Sequence, residues 1–457
     1  MARRTTVGVI DADVLGYTAG EDRVLDLGLV EADCMGSAAH VRMLSRLRTE
    51  AGKTLLSAAE ADQVAEALRG LWEEGREGRF EITLDDQDVH LAIERRLTEK
   101  LGDLGKRVHT CRSRNDQVAT DLRLWGRAKL AETQLAVAAL AKALLKFARK
   151  YREVPMVGRT HMQPAMPSSV GLWASAWAEA LTEDAELLET AARLNNRCPL
   201  GSAASYGVPL EIDRALTARL LGFDAPVHNV LNANQGRGKM ESVQLSALAQ
   251  VMLTLSRLAQ DLILFSMPEF GYFTLPTEFT TGSSIMPQKR NPDVCELMRA
   301  KAAKVLADAN LVAEIVRAAP SGYNRDLQET KAPYMEGFAI TLASLRILPP
   351  MLAGMTVHED ALRAAFAPSV YATDRALELV AGGMPFRDAY HHVKAHLDEL
   401  AARNPDEAIA RKTHLGAPMG LDFDALEAGA KAVEARARKA LRQHEACRNR
   451  LLRSSEK

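Results

Sequence analysis

The sequence predicts an all-α protein built around long helices, and three observations support that prediction. Proline, which a helix interior rejects, is absent before Pro155, from 227 to 267 and from 293 to 319. Apolar side chains recur within such gaps at spacings of three and four residues, which places them on one face of a helix. Aromatic residues make up only 5% of the chain while alanine and leucine are abundant, and this composition favours helix.

Three segments carry the helical pattern most clearly. The first runs from Asp116 to Arg152, the second covers the apolar residues from Leu245 to Phe265, and the third runs from Lys301 to Val316. Helices this long bury little within one small domain, so we expect a bundle that several subunits share. The length of 457 residues suggests roughly three domains. Alternating strand patterns are few.

The composition excludes several classes of protein. The 58 Lys and Arg residues nearly balance 59 Asp and Glu residues, so no nucleic-acid partner is expected. The apolar runs are short and interrupted by charges, so no membrane span and no membrane partner are expected. Five scattered cysteines without CxxC spacing indicate reduced thiols and a cytoplasmic location.

One polar segment, residues 281–292, could carry chemistry. It holds hydroxyl, amine and amide side chains between glycine and proline residues. Such a loop could fold over an anionic substrate, with Lys289 supplying charge, Asn291 donating a hydrogen bond and one serine acting as acid or base. A solvated surface loop has the same composition, so this pattern leaves both interpretations open.

Three further segments have a functional and an ordinary interpretation. His161 lies beside a hydroxyl and an amide in segment 159–164 and is either catalytic or structural. Segment 109–116 places two arginines before a long helix, which suits carboxylate binding or a helix cap. The acidic turn 85–90 suits a metal or, more simply, a cap. His392 and His396 have the spacing of helical metal ligands, but no acidic or cysteine partner follows at ligand spacing, so we expect no metal.

Several ordered blocks together resemble a known family. Residues 282–293 resemble the signature loop of the fumarase/aspartase superfamily, in the form typical of the argininosuccinate lyase family. Residues 112–117 and 160–165 are similar to that family's other two signature blocks. The remaining similar blocks are 88–90 with Glu94, 199–202, 323–328 with Lys331, and 385–387.

The resemblance implies a fold and an activity. It implies a mostly helical, three-domain, fumarase/aspartase-like subunit, with an N-terminal helical domain at 1–112, a central long-helix domain at 113–357 carrying the signature loop 281–293, and a C-terminal helical domain at 358–457. The central helices would form a twenty-helix core in a homotetramer, with each active site drawing on three subunits. The implied reaction is reversible cleavage of argininosuccinate to arginine and fumarate, without cofactor or metal.

The resemblance also implies roles for individual residues. Ser283 would be the base that removes the succinyl Cβ proton, and His161, held by Glu296, would be the acid or relay. Because a serine hydroxyl is a poor base, its alkoxide would need donors such as loop N–H groups and Lys289. Lys289 and Asn291 would hold the fumarate carboxylates. The other implied substrate contacts are Asp88, His90, Ser113, Arg114, Asn115, Thr160, Gln163, Arg237, Ser284, Met286, Tyr323, Gln328 and Lys331.

The chain departs from the family pattern most clearly at residues 232–239. Arg237 is retained, but Gly236 and Gly238 replace two acids and Lys239 adds a cation. Three smaller departures are residues 7–16 in place of a Trp-Gly-Gly-Arg-Phe element, Cys111, and residues 205–209. These changes leave open a second hypothesis, a related C–N lyase that acts on a different N-substituted aspartate. A non-catalytic structural protein is a third hypothesis, which the retained signature residues argue against.

Overall fold

The computed structural model describes residues 2–5, 8–48 and 52–452, and the all-α prediction is confirmed for them. Short connections join the helices, and all regular sheet is two-stranded. The helices are α1 Ala12–Ala19, α2 Asp22–Asp26, α3 Val30–Leu44, α4 Ala58–Arg76, α5 Val89–Leu101, α6 Asp103–Lys106, α7 Arg114–Lys150, α8 Val170–Asn195, α9 Arg214–Leu220, α10 Val230–Gln235, α11 Lys239–Ser266, α12 Asp293–Arg317, α13 Lys331–Gly354, α14 Glu359–Ala364, α15 Ala372–Ala381, α16 Phe386–Ala395, α17 Pro405–Ala410 and α18 Phe423–Leu452.

Five long helices, α7, α8, α11, α12 and α13, form the centre of the subunit. Helix α7 packs against α8 and α13, and α11 packs against α8, α12 and α13. Their apolar stripes merge into one core, to which α11 alone contributes Leu245, Leu248, Met252, Leu255, Leu258 and Leu262. The three helices that the spacing predicts are confirmed as α7, α11 and α12. The sequence pattern missed α13, which carries Pro349 and Pro350 close to its C-terminal end.

The strands form small hairpins and pairs that join or end helices. The glycine- and proline-containing segment 154–169 is regular, because β3 and β4 pair there as an antiparallel hairpin. The strands are β1 Ala2–Thr5, β2 Gly8–Asp11, β3 Pro155–Thr160, β4 Gln163–Ser169, β5 Arg197–Cys198, β6 Ala225–Pro226, β7 Phe273–Thr274, β8 Thr281–Gly282, β9 Arg290–Asn291 and β10 Thr356–Val357.

The C-terminal part of the chain has two different environments. Helices α15 and α16 pack together around a small separate core of Ala376, Ala389 and Val393. Helix α18, in contrast, returns to the central bundle and packs along α7 and beside α3, α4 and α8. The domain limits at 112/113 and 357/358 stay predictions, and residues 6, 7 and 49–51 lie outside the described residues, as do 1 and 453–457.

Two helical stretches, Lys239–Ser266 and Arg325–Gly354, are long and apolar enough to match a membrane span by length and hydropathy. About half of each apolar window, 50% and 56%, is buried within the subunit. Both stretches belong to the central bundle, where an apolar helix surface packs against neighbouring helices. Core helices of this kind pass the same test.

Candidate active site

The predicted base, Ser283, lies on a loop that β8 and β9 close at its base. Thr281 pairs with Asn291 and Gly282 with Arg290, so the intervening residues project as a hairpin loop. The Oγ of Ser283 accepts hydrogen bonds from the backbone N–H groups of Ile285 at 3.3 Å and Met286 at 3.1 Å. Backbone donors aimed at one oxygen stabilise negative charge on it. The loop therefore supplies part of the support that a serine alkoxide needs.

The surroundings of Ser283 are open in the subunit. Ser284, Met286 and Lys289 are exposed, and Ser283 and Asn291 are half-buried. No other segment in the described part of the subunit covers this loop, and the loop does not close over a cavity. In the isolated subunit, residues 281–292 are thus a solvated loop. The hydrogen bonds to Ser283 nevertheless support the second interpretation, in which the loop takes part in catalysis.

The predicted acid, His161, lies at the tip of the β3–β4 hairpin. Thr160 pairs with Gln163, so the turn consists of His161 and Met162 alone. Both residues have positive φ, 53° and 63°, as this type of two-residue turn requires. Neither residue is a glycine, and such left-handed backbone in larger residues is concentrated at functional sites. The hairpin holds the His161 side chain exposed at the edge of an apolar cavity of about 450 Å³ lined by Trp173, Trp177 and Phe270.

A third group of predicted residues surrounds a separate cavity of about 570 Å³. Its walls come from the start of α7, the start of α5 and the segment before α13. The predicted residues that line it are Asp88, His90, Ser113, Arg114, Asn115, Arg237, Tyr323, Gln328 and Lys331. The fold thus brings Asp88, Tyr323, Gln328 and Lys331, which the resemblance assigns to the arginine half of the substrate, together with Ser113 and Asn115, which it assigns to the fumarate carboxylates.

Helix caps position the polar side chains at this cavity. The Oγ of Ser113 caps α7, and the Asp116 side chain accepts a hydrogen bond from the Ser113 N–H. Asp88 caps α5 through the Leu91 N–H at 2.9 Å and also pairs with Arg114, whose Nε lies 2.6 Å from its carboxylate. The cap interpretations of both segments are therefore confirmed, and the same residues also line the cavity.

Asp116 also fixes the opposite wall of the cavity. Its Oδ2 accepts hydrogen bonds from the N–H groups of Gly201 at 2.9 Å and Ala203 at 2.8 Å. Burial raises the pKa of Asp116 to about 6, although these backbone donors act in the opposite direction. A carboxylate beneath the cavity therefore ties the signature block at 112–117 to the block at 199–202.

His90 belongs to a buried ion pair that the sequence did not reveal. Its Nδ1 lies 2.5 Å from Asp33 and 3.6 Å from Asp121. Burial alone would lower the pKa of His90, but the hydrogen bond to Asp33 and the charges of Asp88, Asp33 and Asp121 outweigh it and raise the pKa to about 9. Burial likewise opposes ionisation of Asp33, yet His90 and Arg112 lower its pKa. His90 is therefore a buried cation at neutral pH.

Asp33, His90 and Asp121 form the one group with metal-ligand geometry among the described residues. Their possible ligand atoms lie within 4.8 Å of one another. A protonated His90 cannot bind a metal through the nitrogen that donates to Asp33. Burial raises the pKa of Asp121 well above its ordinary value, helped by the charge of Asp33. These protonation states suit an internal ion pair. His396, by contrast, contacts the carbonyl of His392 at 2.6 Å on an exposed helix end.

Lys331 is the most deeply buried of the predicted cations, with 2% of its side chain exposed. Its Nζ lies 2.7 Å from Asp22 and 2.5 Å from Asp26. Asp26 also accepts the Val89 N–H at 3.0 Å. The sequence prediction missed Asp22, Asp26 and Asp33, because acidic residues on the N-terminal helices α2 and α3 carry no motif that separates them from solvated ones.

Arg237 lies in the block that departs from the family pattern, and its charge is paired internally. The side chain is 3% exposed, and its Nε donates to Glu241 at 2.8 Å. One Nη donates to the Leu327 carbonyl at 2.9 Å. Glu241, one turn further along, thus neutralises Arg237 where the neighbouring acids are missing. Arg237 therefore adds no free cation to the cavity, although Lys239 of the same block is exposed.

The subunit therefore separates the predicted residues into three groups. The first group lines the 570 Å³ cavity, the second (Thr160, His161 and Gln163) lies on the hairpin tip, and the third, with Ser283, lies on its exposed loop. Glu296 is exposed in the first turn of α12. No hydrogen bond or ion pair joins it to His161 within the described subunit. One chain alone does not assemble the predicted site.

Comparison with known proteins identifies the family. Residues 23–307 match the model of a family described as lyase. An argininosuccinate lyase of Sorangium cellulosum is 45% identical over 419 residues, which cover 92% of this chain and 96% of the relative. One of Stenotrophomonas maltophilia is 41% identical over 420 residues, with the same coverage of both chains.

The chain belongs to the argininosuccinate lyase family. It is therefore a lyase of the fumarase/aspartase superfamily, as the signature blocks indicated.

Solved structures of the superfamily share the fold of this argininosuccinate lyase family member. An EDDS lyase variant with bound fumarate superposes with a TM-score of 0.76 at 21% identity, covering 96% of this chain and 93% of the other. A class II fumarase from Schistosoma mansoni superposes with a TM-score of 0.70 at 17% identity, covering 90% and 99%. The fumarase/aspartase-like fold that the resemblance implied is confirmed.

Proposed function

We propose that this protein is an argininosuccinate lyase, catalysing the reversible β-elimination of argininosuccinate to L-arginine and fumarate. The observation that carries the mechanism is the position of Ser283, whose Oγ accepts two backbone N–H donors within its own loop. Those donors favour the alkoxide over the hydroxyl, and an alkoxide is a competent base for a carbon-bound proton. The 45% identity to an argininosuccinate lyase supports the choice of substrate.

The reaction transfers two protons. The Ser283 alkoxide takes the proton from the succinyl Cβ, and negative charge develops on the adjoining carboxylate, which Lys289 and Asn291 would hold. The Cα–N bond then breaks, fumarate forms, and the leaving guanidino nitrogen takes a proton from the acid. We assign that step to His161, whose exposed position on a rigid hairpin tip allows it to reach a site outside its own subunit. No step requires a metal or cofactor.

The amine half would bind in the 570 Å³ cavity. Tyr323, Gln328 and Lys331 line one side, and Ser113, Asn115 and Arg114 line the other. Asp88 and His90 hold this wall through their ion pairs with Arg114 and Asp33. We assign Arg237 a supporting role, because its guanidinium is already bound to Glu241 and the Leu327 carbonyl.

We further propose that the active protein is a homotetramer with a shared helical core. Apolar side chains on the central helices face outward in the single subunit, and Leu297 is 57% exposed. Leu253, Leu306 and Leu311 are also exposed on α11 and α12. Exposed apolar surface of this kind marks an interface. Assembly would also bring the hairpin tip and the Ser283 loop of neighbouring chains to each 570 Å³ cavity.

We place the enzyme in the cytoplasm. All five cysteines lie in the described residues, and all are free thiols. Free thiols suit a reducing compartment.

The test is direct turnover by the purified protein. Argininosuccinate is supplied and fumarate is followed by its absorbance, in parallel with adenylosuccinate, aspartate and ethylenediamine-N,N′-disuccinate. We expect turnover of argininosuccinate to exceed that of the other compounds by a wide margin. A folded, assembled protein without activity on argininosuccinate would contradict the proposal.

A related C–N lyase with another amine half remains the second candidate, since residues 232–239 depart from the family pattern. It predicts that one of the other compounds in the panel is the preferred substrate. The pairing of Arg237 with Glu241 weakens this candidate, because the altered block gains no free charge from Arg237 for a new substrate group.

A further inference from the structure

A second, much smaller cavity lies inside the helix bundle, where the connection from α10 to α11 packs against α7. Its volume is about 10 Å³, which is room for one occupant the size of a water molecule. Its walls come from α7, α11, α13, the end of α8 and the turn at Gly236. Arg123 lines it, roughly 13 Å along α7 from the start of that helix. This cavity is therefore separate from the 570 Å³ cavity, and of their lining residues they share Arg237.

Arg123 brings a buried positive charge to this small cavity. The residue is 7% exposed, and its Nη1 donates to the carbonyl oxygens of Arg197 at 2.9 Å and Asn195 at 3.3 Å. Its Nη2 makes no hydrogen bond within the described residues. A Cβ placed on Gly236 would stand 2.8 Å from this Nη2. The glycine therefore leaves open the space beside an unused donor.

The charges around the small cavity do not balance. The guanidinium groups of Arg123 and Arg237 meet one carboxylate, Glu241, which already accepts from the Arg237 Nε at 2.8 Å. No other carboxylate of the described chain lines the cavity. Burial lowers the pKa of Arg123, which the charge of Glu241 offsets only in part, but a guanidinium stays protonated in a protein. One buried positive charge is left without a counterion, and such a charge favours a bound anion.

The neutral polar groups of the small cavity are already hydrogen-bonded to one another. The Tyr334 hydroxyl donates to the Gln244 Oε1 at 2.8 Å, and the Gln244 Nε2 donates to the Asn195 Oδ1 at 3.2 Å. The Asn195 Nδ2 donates to the Arg123 carbonyl oxygen at 2.9 Å. Burial raises the pKa of Tyr334 well above its ordinary value, so its hydroxyl does not supply the missing negative charge. The counterion therefore has to come from solution.

We propose that the small cavity binds one monovalent anion of the size of chloride, which Arg123 holds through Nη2 beside Gly236. The volume has no room for a carboxylate, phosphate or sulfate group, so neither substrate nor product is the occupant. The site lies in block 232–239, where the chain departs from the family pattern. It goes beyond the proposed function, because the anion is a counterion of the bundle and takes no part in the cleavage.

The bound anion joins the α10–α11 connection to α7. Arg123 is in turn fixed to the end of α8 and to β5 through the carbonyl oxygens of Asn195 and Arg197. An anion that binds the folded subunit alone stabilises it by mass action, so the Tm depends on the anion concentration. The site can therefore be tested without any substrate.

The first experiment measures thermal unfolding of the full-length assembled protein at constant ionic strength, while sodium chloride replaces sodium gluconate. Gluconate is too large for the cavity and serves as the inert anion. We expect the Tm to rise by about 2 °C for each tenfold increase of chloride above its dissociation constant. Bromide should act in the same way.

Gly236→Asp and Gly236→Asn form a matched pair for this measurement. Both place a side chain of the same size against the Arg123 Nη2, the flexible end of that residue, but only the aspartate adds a charge. We expect Gly236→Asp to have the higher Tm and to lose the response to chloride. An equal response in the wild type and in Gly236→Asp would identify a general effect of salt and overturn the proposal.

Crystals of the wild type grown in bromide give a direct second measurement. We expect an anomalous scattering peak in the small cavity, next to the Arg123 Nη2 and the Gly236 Cα. A cavity that shows water without such a peak would overturn the proposal, even if both Gly236 variants fail to fold. The outcome is independent of turnover, so it leaves the proposed function to its own test.

Discussion

The side-chain amide of Gln328 donates a hydrogen bond to the carbonyl oxygen of Thr18 over 2.9 Å. Arg325 donates to the same oxygen at 2.7 Å. Helix α1 is thereby fastened to the segment before α13, although more than 300 residues separate them in the chain. Two residues of the family-like block 323–328 thus also hold the N-terminal part of the subunit against the cavity.

We predict that Gln328→Glu loosens helix α1. The substituted carboxylate has nearly the same shape, but it cannot donate and it repels the Thr18 carbonyl. Amide hydrogen exchange in residues 12–20 should accelerate several-fold, and KM for argininosuccinate should rise. In the control Arg325→Gln the Gln328 bond remains, so the exchange rate should change less. Unchanged exchange in Gln328→Glu would show that this contact does not hold the helix.

We predict that Ser283→Ala abolishes turnover and leaves the assembly intact. The substitution removes the oxygen that receives the Ile285 and Met286 N–H groups, in an open loop that contributes little to the core. The loss of kcat should be at least about a thousandfold, as for removal of an essential base. Thr280→Ala is the control, because its hydroxyl donates to the Thr277 carbonyl at the foot of the loop. Near-normal activity in Ser283→Ala would disprove its role as base.

We predict that Asp33→Asn destabilises the protein far more than Asp121→Asn. Asp33 is the counterion of His90, and leaving a buried cation unpaired costs about 3–5 kcal/mol. Asp121 lies farther from His90, at 3.6 Å, and burial already disfavours its ionised form, so we expect an amide to replace its carboxyl group at smaller cost, within about 1 kcal/mol. Thermal unfolding at neutral pH would compare the two variants. Equal losses of Tm would mean that the two carboxyl groups share the His90 charge.

The raised pKa of His90 predicts a loss of stability in alkaline solution. The folded protein binds the proton more tightly than the unfolded chain, because the pKa of His90 is about 9 in place of 6.5. The resulting stabilisation is complete below pH 6.5 and disappears as the pH rises through 9, with a size on the order of 3 kcal/mol. The Tm of the wild type should therefore fall more steeply between pH 7 and 9.5 than that of His90→Gln. Parallel curves would place the titration elsewhere.

We predict that two inactive variants restore activity to each other. Ser113→Ala alters the cavity group and Ser283→Ala alters the loop group, and a shared site would draw these groups from different chains. If subunits exchange at random in an equal mixture, roughly a quarter of the sites would contain both intact groups. Activity should appear after denaturation and joint refolding, and not after mixing without exchange. No recovery in hybrids of proven composition would contradict a site shared in this way.

The sequence predicted the helices whose stability comes from a regular apolar stripe. Helices α7, α11 and α12 were found from spacing, because side chains three and four residues apart meet the same core. Helix α13 was missed. It carries Pro349 and Pro350, but these lie within its last two turns, where few further backbone hydrogen bonds are lost. The hairpin at 155–169 was missed because its turn is formed by His161 and Met162 rather than by residues with an ordinary preference for positive φ.

The residues of the candidate site likewise fall into those that the sequence predicted and those that it missed. Residues in contiguous blocks, such as Ser283 and Asn115, could be found because the family pattern preserves their order. The ion-pair partners of such residues could not be found. Asp22 and Asp26, for example, pair with Lys331, from which some 300 residues of sequence separate them. Only the packing of α2 against α13 brings them together. A long-range ion pair leaves no local signal in one sequence.

The separation of Ser283, His161 and the 570 Å³ cavity onto different parts of the chain has a consequence for how the enzyme behaves at low concentration. In the proposed homotetramer, a lone subunit would hold every predicted residue of the site and still enclose no complete site. Dilution below the dissociation constant of the tetramer would therefore inactivate a correctly folded enzyme. The specific activity would rise with protein concentration until the subunits are fully associated.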